Sequence, residues 1–157
     1  MKGAHMDEPR AAGSAAVGPA LYTAVARNST GVTGESVADG GLTVSVAAPP
    51  TRADAAAPAG TTNPEELLAL SWATCLNAAA RVVAGPGIEV SARVEISLHA
   101  RGSGDGFEFS GRAELYFDGV EDARAAALAD AAHARCPVSR MLAGTSRVEV
   151  SAVSVPR

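Results

Sequence analysis

The sequence predicts an α+β fold in which antiparallel sheets pack around one long, buried central helix. Three observations carry this. Residues 63–84 hold a capped, nearly all-apolar run of Leu, Ala, Val and Trp with a cysteine inside it. Stretches on both sides of that run alternate apolar and polar residues with a period of two, as strands with one wet face do. A second, alanine-rich stretch near the C-terminal end has high intrinsic helix propensity. Strands in runs, interleaved with single helices, are the α+β pattern.

Composition narrows the class further. The 157 residues suit one domain with a core of its own, assigned here to 21–157. Hydrophobic residues make up 47% and charged residues 19%, the balance of a globular chain. A net charge of -4 offers no electrostatic case for nucleic acid or an anionic membrane. Aromatics at 4% argue against a base-stacking sheet or an aromatic cage. The opening residues lack the continuous apolar run of a secretory leader, and two cysteines do not make a disulfide scaffold. A cytoplasmic protein with two thiols is the expectation.

Taken in order, residues 1–20 are Ala, Gly, Pro and charge without period. They read as a disordered lead, and Gly3-Ala4-His5-Met6 looks like an expression-vector scar, so His5 is set aside as a ligand. A strand is expected over 21–27, and another begins at 35–38. Asp39-Gly40-Gly41 is a hairpin signal, and Leu42-Thr43-Val44-Ser45-Val46 alternates as the returning strand. Residues 48–62, rich in Pro, Ala, Gly and Thr, form a long arm.

The long helix follows. Asn63 is a good N-cap, Pro64 fits the first helical position, and Asn63-x-x-Glu66 resembles a capping box. Gly85-Pro86 supplies the stop. By length the helix could span a membrane, but Glu65, Glu66 and Arg81 at its ends and its small residues favour a protein core. Residues 88–99 alternate almost without error, with Ile88, Val90, Ala92, Val94, Ile96 and Leu98 on the core parity. Glu89, Arg93, Glu95 and His99 take the wet parity, which makes His99 a solvated residue. After a glycine-rich turn, 107–117 returns as the partner strand. A second helix is expected to open around Asp118 to Asp122 and to run to about Arg135. Pro137 cannot continue that helix but suits the start of another, placing Cys136 at the N-cap of a short turn over 137–142. A last strand is expected over 147–153.

The two thiols are the chemistry candidates. Cys75 reads either as a small buried hydrophobe or as half of a redox pair with Cys136, whose position at a helix start favours a lowered thiol pKa. If the fold brings them together, one sulfur attacks a substrate and the other resolves the product as a disulfide. There is no Cys-x-x-Cys, and His133 three residues before Cys136 does not complete a zinc set. Glu66 suits the helix dipole. Glu65 lies ten residues before Cys75, roughly 15 Å along a straight helix, so a site using both needs a bend or a second chain.

Leu21-Tyr22-Thr23-Ala24, Asn63-Pro64-Glu65-Glu66-Leu67, Ala73-Thr74-Cys75 and His133-Ala134-Arg135-Cys136-Pro137-Val138-Ser139 together closely resemble the organic hydroperoxide resistance and osmotically inducible (Ohr/OsmC) family. The resemblance covers about 21–153. It implies an intertwined homodimer with sites between subunits, and a thiol peroxidase for organic hydroperoxides. The residue matching Cys75 attacks the peroxide, that matching Cys136 resolves it, and a dithiol such as a lipoyl group regenerates the pair. No metal, flavin or haem cofactor is implied, and neither nucleic acid nor membrane is a partner. The family places an arginine after the first strand, paired with the glutamate matching Glu65; here Val32 stands in that position. Arg27 is the first candidate to replace it, with Arg140 and Arg52 as others. The departure keeps two alternatives in view: a dimer binding a small hydrophobic ligand, and a redox sensor without turnover.

Overall fold

A computed structural model describes residues 18–50, 56–102 and 104–154. Its centre is helix α1 (Pro64–Ala84), and its start is built as the residues there require. Asn63 is extended, its side-chain oxygen accepts the Glu66 N–H at 2.8 Å, and Pro64 opens the first turn. Only half of the capping box forms. The Glu66 carboxylate accepts the Thr62 hydroxyl at 2.9 Å instead of turning back to the cap. At the other end Gly85 takes φ 82°, a conformation that favours glycine, and its N–H bonds the Arg81 carbonyl.

A hairpin of two long strands carries α1. β5 (Val90–Ala100) and β6 (Phe107–Phe117) pair antiparallel from Val90↔Phe117 to Ala100↔Phe107. The predicted parity holds: Glu89, Arg93, Glu95 and His99 are exposed, while Val94 and Ile96 pack beneath the helix. His99 shares a 2.7 Å hydrogen bond with the Ser110 hydroxyl. One polar interruption of α1 has a structural use. Asn77 donates to the Val90 carbonyl at 2.9 Å and ties the helix to the start of β5. Helices α2 (Asp122–Arg135) and α3 (Pro137–Leu142) pack against the other side of α1. The core joins Trp72, Leu76, Ala79 and Ala80 of α1 to Val90, Phe117, Ala132 and Cys136. By length and hydropathy α1 could cross a membrane, but its apolar face is this core.

The N-terminal sheet has the order β1 (Ala26–Asn28), β2 (Glu35–Ala38), β3 (Thr43–Val46), β4 (Thr61–Thr62). The first three are antiparallel, and β4 runs parallel to β3 just before the cap of α1. Among the described residues no helix packs broadly on β1 or β2.

Two expected strands are corrected. The first begins at Ala26 rather than residue 21, because its partner β2 gives way to the Asp39-Gly40 turn immediately after Ala38, and the last cross-strand bond is the Asp39 N–H to the Val25 carbonyl at 3.0 Å. Leu21 and Tyr22 are correspondingly 101% and 85% exposed. The expected strand at 147–153 does not form in this chain. A strand needs a ladder for its N–H and C=O groups, and β5 and β6 make a sheet of two only. Val148 and Val150 are left 68% and 96% exposed. The N-terminal lead with His5, and Arg52 in the arm, lie outside the described residues, apart from 18–20, which are exposed.

Candidate functional site

Cys75 comes from the middle of α1, on the side facing α2 and α3, and is half-buried. Cys136 is wholly buried at the junction of α2 and α3. It ends one helix and starts the next: its N–H bonds the Ala132 carbonyl at 2.9 Å, and its sulfur accepts the Ser139 N–H at 3.4 Å. Pro137 makes this junction possible, since it lacks the N–H that α2 would need and suits the first position of α3. The fold thus brings the two thiols close enough to act on each other's titration, and both are free.

Their surroundings differ. Burial pushes the Cys75 thiol up from its ordinary range; the Val138 N–H works against this, and Cys136 adds to it. Burial pushes Cys136 up as well, but the Ser139 hydroxyl and N–H, the Cys75 thiol and the Val138 N–H outweigh it, and its pKa falls below the ordinary value. Ser139 is only 1% exposed, and its oxygen accepts the Trp72 indole N–H at 2.8 Å. Among the described residues no arginine acts on Cys75.

The other expected site residues are dispersed. Glu65 is in the first turn of α1, roughly 15 Å up the helix from Cys75. Its Oε2 is buried and has no hydrogen-bond partner among the described residues. Arg27 lies in β1 and is ion-paired with Asp39. Arg140 is exposed on α3, and Val32 is exposed in the turn between β1 and β2. No group of His, Cys, Asp and Glu able to hold a metal occurs among the described residues. Trp72 and Ser139 were not expected as site residues. The signal for Ser139 was available: three residues after an N-cap is the position whose N–H the cap accepts. For Trp72 there was none, since its partner lies in a distant helix.

Known proteins resemble this chain in sequence and in fold. The family model described as OsmC-like protein matches residues 57–151. An organic hydroperoxide resistance protein-like chain of Mycoplasma pneumoniae is 33% identical over 128 residues, 78% of this chain and 87% of that one. The solved structure of organic hydroperoxide resistance protein OhrB of Bacillus subtilis superposes with a TM-score of 0.69 at 30% identity, covering 80% of this chain and 93% of its own. That of an organic hydroperoxide resistance protein OsmC of Legionella pneumophila does so with 0.69 at 32%, covering 81% and 93%. With over half its length matched by the family model, and these relatives alike in sequence and fold, the chain belongs to the Ohr/OsmC family.

Proposed function

We propose that this protein reduces organic hydroperoxides to alcohols through its two thiols. The observation that carries the reading is a half-buried Cys75 and a wholly buried Cys136, both free and close enough to act on each other. Access assigns the roles. Cys75 sulfur attacks the distal peroxide oxygen, the O–O bond breaks, and Cys75 is left as a sulfenic acid. Cys136 then displaces water from that sulfur and closes the Cys75–Cys136 disulfide. An external dithiol of the lipoyl type restores both thiols by exchange. The apolar residues around Cys75 favour lipophilic peroxides over hydrogen peroxide.

The active unit on this reading is a cytoplasmic homodimer. Support comes from the exposed valines of 147–153 and from Leu21 and Tyr22, which a second copy would cover. The distance from Glu65 to Cys75 assigns Glu65 to the site of the other copy, where its unpaired Oε2 would meet a cation. Arg27 is the arginine assigned to that role, delivered by the N-terminal sheet.

Stopped-flow consumption of cumene hydroperoxide with dihydrolipoamide as reductant tests the reading. Cys75→Ser abolishes turnover, and Cys136→Ser permits a single oxidation without recycling. Full activity in Cys75→Ser overturns the proposal. That no arginine among the described residues acts on Cys75 favours one second reading, a redox sensor: it is oxidised by peroxide but not recycled by any dithiol.

A further inference from the structure

The two sulfurs differ in reach, and the packing of three helices sets the difference. Cys136 closes α2 and opens α3, with its N–H bonded to the Ala132 carbonyl one turn earlier. Cys136 and Ala132 are both 0% exposed, and Ser139 is 1% exposed. Ser139 is held there from two directions. Its oxygen accepts the Trp72 indole N–H at 2.8 Å, and its own N–H is given to the Cys136 sulfur at 3.4 Å. Trp72 is buried as well, so this tie is made inside the core. Cys75 is half-buried on α1, at the margin of the same core. A second copy of the chain adds cover and removes none, so Cys136 stays closed in a dimer too.

Thiol–disulfide exchange is sensitive to this difference. The incoming sulfur must reach one sulfur of the disulfide and push out the other. A reductant that went for Cys136 would have to displace the packing of Ala132 and Ser139. One that goes for Cys75 meets the more open sulfur, and the sulfur it pushes out already has an N–H in place to receive it.

We propose that an external dithiol reduces the Cys75–Cys136 disulfide at Cys75 alone, so that the mixed disulfide with the reductant forms on Cys75 and Cys136 is the sulfur that leaves. The inference rests on the peroxidase reading above and deepens it. A thiolate of the reductant attacks Cys75 sulfur. A new S–S bond forms between them, the Cys75–Cys136 bond breaks, and its electron pair leaves on Cys136. The second thiol of the reductant gives up its proton and, as a thiolate, attacks the reductant sulfur of the mixed disulfide. The oxidised reductant closes as a cyclic disulfide, and the electron pair of the broken bond stays on Cys75. Two electrons pass from the dithiol to the protein, and its two protons, passed through solvent, balance the two cysteine sulfurs. A reductant with one thiol stops after the first exchange. Cys136, which has just left Cys75, lies beside it, attacks it again and restores the protein disulfide.

Peptide mapping of the trapped mixed disulfide tests this, and diamide makes the protein disulfide without any peroxide. The oxidised protein is mixed with excess glutathione, quenched with acid before Cys136 can attack back, and blocked with N-ethylmaleimide. Glutathione is expected on the Cys75 peptide and N-ethylmaleimide on the Cys136 peptide. Glutathione on Cys136, on both alike or on neither overturns the proposal. A second measurement needs no intermediate. Cys136→Ser and Cys75→Ser each leave one thiol, which 2,2′-dithiodipyridine titrates in the folded and in the urea-unfolded chain. Cys75 is expected to react at least about tenfold faster than Cys136 in the folded chains and at a similar rate in the unfolded ones. Equal rates in the folded chains overturn the proposal. If Cys75→Ser does not fold, Cys75→Ala takes its place. A protein with the expected order of attack that consumes no hydroperoxide overturns the peroxidase reading and leaves the order of attack standing. A protein in which diamide joins no disulfide overturns both.

Discussion

Trp72 holds its place because Gly111 leaves room for it. A Cβ on Gly111 would come within 2.8 Å of the Trp72 ring and 3.2 Å of Ile96. Gly111→Ala is therefore expected to cost about 1–3 kcal/mol by overpacking. Because the ring it displaces donates to Ser139, whose N–H bonds the Cys136 sulfur, the thiolate titration of Cys136 should also move upward. Chemical denaturation followed by thiolate absorbance checks both, and unchanged stability with an unmoved midpoint would show that the ring has space to spare. At this scale the sequence was legible where chemistry is a matter of residue type: the two cysteines and the cap at Asn63 could be named from it. Ser139 stood in view beside Cys136, yet its use depends on an indole N–H from another helix. The proposed activating arginine is the contrary case, since Arg27 is engaged with Asp39 in this chain.

Helix α1 shows how an element converts pattern into position. Its caps set where it starts and stops, and its apolar face then registers against β5 and α2. Leu76, 3% exposed and next to Cys75, is part of that face. Leu76→Ala should remove about 2–5 kcal/mol of unfolding free energy through the cavity it leaves. It should also lower peroxide reactivity in proportion to the loosened contact between the sulfurs. Equilibrium urea unfolding gives the first, and a change under 1 kcal/mol would place Leu76 outside the core. Strands β5 and β6 could be read nearly to the residue, since each pairs with its neighbour in sequence and their alternation is satisfied locally. The outer strands could not. A period of two shows that a segment suits a sheet, and it does not say whether a partner lies in the same chain.

For the whole molecule that missing partner is the main consequence. The alternating valines of 147–153 and the apolar residues at 21–22 are exposed, and among the described residues no helix broadly covers the first two strands of the N-terminal sheet. Sedimentation velocity is expected to give a dimer. Val150→Asp, which puts a charge on the most exposed of these valines, should shift it toward monomer and depress turnover in parallel. A monomeric wild type with full activity would refute the shared site.

Helix caps, strand parity and the identity of the two thiols follow from neighbouring residues, because hydrogen bonds three and four residues apart and alternation along a strand are local properties. The meeting of Cys75 with Cys136, the burial of one and the access of the other, and the indole behind Ser139 come from packing between α1, α2 and α3. No local rule contains them, because each depends on which face of one helix meets which end of another.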